Sequence, residues 1–267
     1  VLSGGGSHGA FQVGVIKRLI EMGHRWDVVA GVSVGAVNAM QMAMYSPMEQ
    51  HVGSQKLEQF WLEIMGNQTI YCEWFGGIIA AVTGRGSLHD TSPLERFLRS
   101  KFNPVALAAS GVKLRIGATS LRTGRYHAAT ELDHDVVKWV MASSAFPAAF
   151  TPIAIDGDIW IDGGVRDTTP VRDALATGAT VLDVVLADPI ADDGEPWDLR
   201  QAGSAINVGV RAATIMSNEV FRNDLRDLEA KGVKHKLYAP YATWTVGPLD
   251  FVPSQIRHMI DVGYGIP

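Results

Sequence analysis

The sequence predicts an α/β protein of three layers, α/β/α, with helices on both faces of a central, mostly parallel sheet, in one domain over residues 1–267. Strand, tight glycine turn and helix succeed one another twice within the first 45 residues. Val181 to Ala187 is a nearly continuous apolar run, as a parallel strand covered on both faces requires. With 47% hydrophobic residues over 267 positions a large core can form, which excludes a disordered tail or a disulfide-stapled miniprotein.

In chain order, Val1-Leu2 reads as the end of a buried strand. The turn Ser3 to Gly9 follows, then a helix with Phe11, Val15, Leu19 and Met22 on one face and Gly23 as its cap. Trp26 to Ala30 is a strand and Ala36 to Tyr45 a helix. A polar helix over Gln55 to Ile64 precedes an aromatic, glycine-rich excursion at Tyr71 to Gly77. Ser92 as cap, Pro93 at the first helical position and Glu95 closing a capping box predict a helix to about Phe102. Lys113 to Leu121 and Arg125 to Thr130 pair as strands, and Asp133 to Ser143 is a helix. Asp156-Gly157 turns a hairpin between Ile153 to Ile155 and Ile159 to Ile161. A long helix carries Phe221, Leu225 and Leu228, and Lys234 to Tyr238 is the last strand.

Composition narrows the function. A net charge of −5 argues against a nucleic-acid partner, which needs a positive field to displace phosphate counterions. The lone Cys72 forms no intrachain disulfide and favours a reducing compartment, so the cytoplasm or the periphery of a membrane is expected, with secretion left open. The longest clean apolar stretch, Trp74 to Val82, has nine residues where a membrane-spanning helix needs about 20. It reads either as a buried segment or as an interfacial lip led by Trp74 and Phe75. Neither a metal nor a cofactor is expected, since no H-E-x-x-H or spaced carboxylate cluster occurs.

The chemistry concentrates in three places. Gly31-Val32-Ser33-Val34-Gly35 is a G-x-S-x-G sequence between a strand and a helix, where the motif lifts a serine hydroxyl into the open on a sharp turn. A plain small-residue turn is the other reading. Gly4-Gly5-Gly6-Ser7-His8-Gly9 opens a helix, so its amides suit an anion. That anion is either an acyl oxyanion or a nucleotide phosphate, the latter with Asp27 as the ribose acid. Asp162-Gly163-Gly164 ends an apolar strand, so Asp162 is a base for Ser33 or part of an Asp-Gly turn. A Ser33, Asp162, His235 or His258 triad has the right order, but the serine follows only the second strand and neither histidine sits in a motif.

Together G-G-G-S-H-G, G-V-S-V-G and D-G-G, in this order and spacing, resemble the patatin-like phospholipase family. Asp90 to Leu94 and the block Ala142-Ser-Ser-Ala-Phe-Pro147 extend the likeness over most of residues 1–186. The resemblance implies a patatin-like fold and a lipid acyl hydrolase of phospholipase A type. Ser33 is then the nucleophile and Asp162 the base of a dyad, while Gly4, Gly5 and Gly6 supply oxyanion-hole amides. Gly9, Gly31, Gly35, Gly163 and Gly164 are the motif glycines. The family usually has Arg or Lys where this chain has His8. The implied partner is a phospholipid or other lipid ester at a membrane surface. A general carboxylesterase, lysophospholipase or acyltransferase on the same dyad, and a noncatalytic nucleotide- or anion-binding module, are the alternatives.

Overall fold

A computed structural model describes residues 1–74, 86–190, 205–230 and 232–267. Phe75 and most of the apolar stretch lie outside the described residues. Trp74 is half-buried and donates its indole N–H to Ser87 O at 3.1 Å.

The chain begins with α1 (Gly9–Glu21), β1 (Val28–Val32), α2 (Val34–Ala43) and α3 (Gln50–Leu62). A two-residue ladder of β2 (Cys72–Glu73) and β3 (His89–Asp90) precedes α4 (Ser92–Lys101) and α5 (Pro104–Ser110). Then come β4 (Lys113–Ser120), β5 (Tyr126–Thr130), α6 (Val136–Ser143), β6 (Ile153–Ile155), β7 (Asp158–Asp162) and α7 (Val171–Ala176). β8 (Val181–Val185), α8 (Ala205–Ala230), β9 (Lys234–Tyr238) and α9 (Pro253–Tyr264) complete it.

The central sheet is mostly parallel. β9 pairs with β8, Leu2 bridges β8 to β1, and β1 pairs with β4, all parallel. Val184 and Leu182 of β8 face Phe221 and Leu228 of α8 and Ala174 of α7. Val185 faces the other way, into the larger core shared with α1, α2, α3 and α9. One strand thus feeds two cores, which is the expected three-layer arrangement.

The antiparallel strands position the site. β5 pairs with β4 over Arg115 to Thr119, and β1 pairs over Lys113 to Gly117, so the two occupy opposite edges of β4. β7 pairs with Ala118 to Ser120 and therefore continues on the β1 edge, running the other way. The ends of β1 and β7 meet head-on, with Val32 opposite Gly117 and Asp162 opposite Ala118. The β6–β7 turn has φ of 49° at Asp156 and 78° at Gly157, which the Asp-Gly pair accommodates.

Several boundaries differ from expectation. Met22 caps α1 instead of joining its apolar face and is 49% exposed. Ser92 is the first residue of α4, not its cap: the Asp90 carboxylate accepts the Ser92 N–H at 2.8 Å. The helices α5, α7 and α9 were not expected. α9 lies close against α1, where a Cβ at Gly263 would come within 2.1 Å of Phe11 O. Among the described residues no helix is long and apolar enough to cross a membrane.

Candidate active site

Ser33 stands between β1 and α2 with φ 56° and ψ −126°, a conformation that a residue with a Cβ holds only when its surroundings impose it. They do so here. Gly31 and Gly35 let the strand and the first helical turn close up, since a Cβ on Gly31 would lie 2.1 Å from Gly35 O. The Ser33 N–H donates to the Ser143 hydroxyl at 2.8 Å, and the Ser144 hydroxyl donates to Ser33 O at 3.4 Å.

Asp162 is 3% exposed. Its N–H donates to Ala145 O at 3.0 Å, and its Oδ1 accepts the Gly164 N–H at 2.8 Å. Burial pushes its carboxyl up to about 7, against the opposing pull of the Gly164 N–H and the Ser33 hydroxyl. Oδ2 has no partner at good hydrogen-bond geometry, so the hydroxyl and carboxylate are near but loosely aligned. Catalytic hydrogen bonds are often loose before substrate binds. Gly163 passes over β4, where a Cβ would lie 2.3 Å from Gly117 O.

The glycine loop runs beside this pair. Gly4 faces Ser33, and a Cβ there would come within 3.3 Å of Ser33 Cβ. Its N–H donates to Thr168 O at 3.0 Å, which corrects the expectation that Gly4 supplies an oxyanion amide: it supplies space. The Gly5 and Gly6 amides have no such acceptor among the described residues. Gly5 has φ 153° and Gly6 φ 59°, both unfavourable for other residues. A methyl on Gly5 would meet Ala187 Cβ at 2.4 Å. Gly9 opens α1 against Val34.

Residues far along the chain hold this loop. Ser7 donates its N–H to Pro248 O at 2.7 Å and its hydroxyl to Gly247 O at 3.1 Å. His8, 6% exposed, meets Asp188 Oδ1 through Nδ1 at 2.6 Å and Val246 O through Nε2 at 2.9 Å. A carbonyl only accepts, so Nε2 carries a proton. Burial opposes the imidazolium, but Asp188, the Val246 carbonyl and Asp250 outweigh it and hold the His8 pKa above its ordinary value. His8 thus keeps its proton to higher pH than a free imidazole, where Arg or Lys would carry the charge permanently.

An apolar cavity of about 50 Å³ opens beside Ser33. Val37, Trp61, Ile64, Phe150 and Phe251 are among its walls. Sequence reasoning missed these residues, and also Thr168, Asp188 and the segment 246–248; Ser143, Ser144 and Ala145 fall in the Ala142 to Pro147 block that it marks, but without a role for any of them.

The rival arrangements do not assemble. Asp27 precedes β1, a strand's length of roughly 15 Å from the glycine loop, where a ribose acid cannot reach a phosphate held by that loop. His235 pairs with Leu182 near the starting ends of β9 and β8 and bonds Val233 O, while Ser33 follows the far end of β1. His258 is exposed on α9.

A family model described as patatin-like phospholipase matches residues 1–175. Lysophospholipase nte1 of Aspergillus terreus (strain NIH 2624) is 28% identical over 206 residues, covering 73% of this chain and 12% of that protein. Patatin-like phospholipase domain-containing protein 7 of Mus musculus is 26% identical over 211 residues, covering 78% of this chain and 14% of that protein. The chain therefore spans only a small part of these relatives. The crystal structure of VipD from Legionella pneumophila aligns with 98% of this chain and 64% of its own, at a TM-score of 0.47 and 14% identity. With most of its length matched by the family model, this chain belongs to the patatin-like phospholipase family.

Proposed function

We propose that the protein is a serine hydrolase of phospholipase A type that cleaves carboxylic esters of phospholipids with Ser33 and Asp162 as a dyad. The observation that carries this reading is the meeting of a strained Ser33 with a buried carboxyl whose pKa is raised to about 7. A base poised near neutrality takes a hydroxyl proton more readily than an ordinary carboxylate does. The apolar cavity beside Ser33 supports an acyl chain as the bound group.

Asp162 removes the Ser33 proton as Oγ attacks the acyl carbonyl. The N–H groups of Gly5 and Gly6 take the charge that develops on the carbonyl oxygen, each worth roughly 3 kcal/mol in the transition state. Asp162 returns the proton to the departing alcohol, the lysolipid. It then activates water, which releases the fatty acid and restores Ser33. The substrate is drawn from a lipid surface, so contact with a membrane periphery is part of the proposal.

Incubating the protein with a mixed phospholipid extract and following it by lipid mass spectrometry tests this reading. Loss of diacyl species with matching lysolipid and fatty acid supports it. Loss of monoacyl species alone favours lysophospholipase activity, and an unchanged extract with hydrolysis of simple esters favours a general carboxylesterase.

A further inference from the structure

Trp61 lies on α3 with 1% of its surface exposed, so it forms an inner wall of the cavity that opens at Ser33. It is held from behind by a buried chain of hydrogen bonds. The indole N–H donates to Asn38 Oδ1 at 2.8 Å. Asn38 Nδ2 donates to Gln12 Oε1 at 2.9 Å and to Gly9 O at 3.1 Å. Gln12 Nε2 in turn donates to Ser3 O at 2.9 Å and Val185 O at 3.2 Å. Asn38 and Gln12 have no exposed surface. Swinging the indole aside would strand a buried acceptor with no water to replace the lost bond.

The front of the ring is fixed as well. Trp61 Cζ2 lies 3.1 Å from where a Cβ of Gly9 would stand, so the glycine loop and the indole pack against each other. About 50 Å³ of free space has room for only a few water-sized groups. A long acyl chain entering past Ser33 therefore fills, within its first carbons, the space that the indole helps to wall.

We propose that Trp61 determines the acyl-chain length accepted at Ser33, acting as the fixed end of the cavity. This rests on ester hydrolysis at Ser33. Each methylene buried in the cavity raises kcat/KM by about fourfold, and methylenes beyond Trp61 add nothing.

The test is kcat/KM across p-nitrophenyl esters from acetate to decanoate, for the native protein, Ser33→Ala, Trp61→Ala and Trp61→Phe. The native profile should climb and then break. Trp61→Ala should carry the climb to longer esters, with the ratio of long-chain to short-chain kcat/KM rising at least about tenfold. Trp61→Phe should move the break in the same direction by less. It keeps an aromatic ring in the core, so it decides the matter if Trp61→Ala does not fold. A break at the native length in every folded Trp61 variant, with Ser33→Ala inactive, overturns the role of Trp61 and leaves the dyad standing. Undiminished hydrolysis by Ser33→Ala would overturn the dyad itself.

Discussion

The Ser143 hydroxyl accepts the backbone N–H of Ser33 at 2.8 Å. Next to it Ser144 donates to Ser33 O, and Ala145 O accepts the N–H of Asp162 at 3.0 Å. One short segment at the end of α6 therefore grips the Ser33 backbone at both polar groups and the Asp162 backbone at one. Ser143→Ala leaves the Ser33 N–H unsatisfied at a strained turn, which costs about 1–3 kcal/mol. Turnover should fall about tenfold or more while the secondary structure by circular dichroism is kept. Unchanged turnover would show that the elbow holds its shape without this bond.

Asp162 should cost stability in return for reactivity. Its folded pKa, about 7, lies above the ordinary carboxylate value of 3.8, so between these values the folded protein binds the extra proton and stability declines as pH rises. The full cost, at most about 4 kcal/mol, is present only at alkaline pH. Asp162→Asn should therefore unfold at a higher urea concentration than the native protein at about pH 8, with the advantage vanishing below about pH 4. An advantage independent of pH would contradict this account.

His8 works in the opposite sense. Its pKa is raised, so the imidazolium that pairs with Asp188 persists to higher pH than a free histidine would allow and is lost as pH climbs through the folded value. Turnover should then show an alkaline decline as the glycine loop loosens. Asp188→Asn removes the partner that sustains the charge, and the decline should move to lower pH. Rates of ester hydrolysis against pH for both proteins check this; superimposable alkaline limbs would exclude His8 as their origin.

Gly5→Ala should lower kcat by about a hundredfold with a much smaller change in KM, because the displaced amide acts on charge that exists only in the transition state. The new methyl would meet Ala187 Cβ at 2.4 Å and Asp188 Oδ2 at 3.0 Å, which displaces the loop. A loss confined to KM would mean that the amide contacts the bound ester in its ground state.

The strand–turn–helix units around Ser33 and the Asp156-Gly157 hairpin were legible because their signals are local: glycine placement, apolar runs and turn chemistry. The motif glycines likewise marked the site. What was not legible is long-range. Nothing near Asp162 says that β7 runs antiparallel on the β1 edge, yet that register brings its end against Ser33. The bonds from Ser7 and His8 to Val246, Gly247 and Pro248 span about 240 residues of chain and leave no local pattern. For α9 a signal did exist, with Pro253 at its start and Ile256, Met259 and Ile260 on one face. Ser92 misled because the helix starts one residue earlier than a Ser92 cap implies: Thr91 is the N-cap residue and the Asp90 carboxylate accepts the Ser92 N–H.

The central claim is that Asp162 activates Ser33, and the rate of labelling by a fluorophosphonate, with the modified peptide identified by mass spectrometry, tests it most directly. The account predicts a single label on Ser33, a rate that rises with pH through about 7, and a loss of at least about a thousandfold in Asp162→Asn. Rapid labelling of Ser33 in Asp162→Asn with its pH dependence unchanged, or a label on another serine, would contradict it.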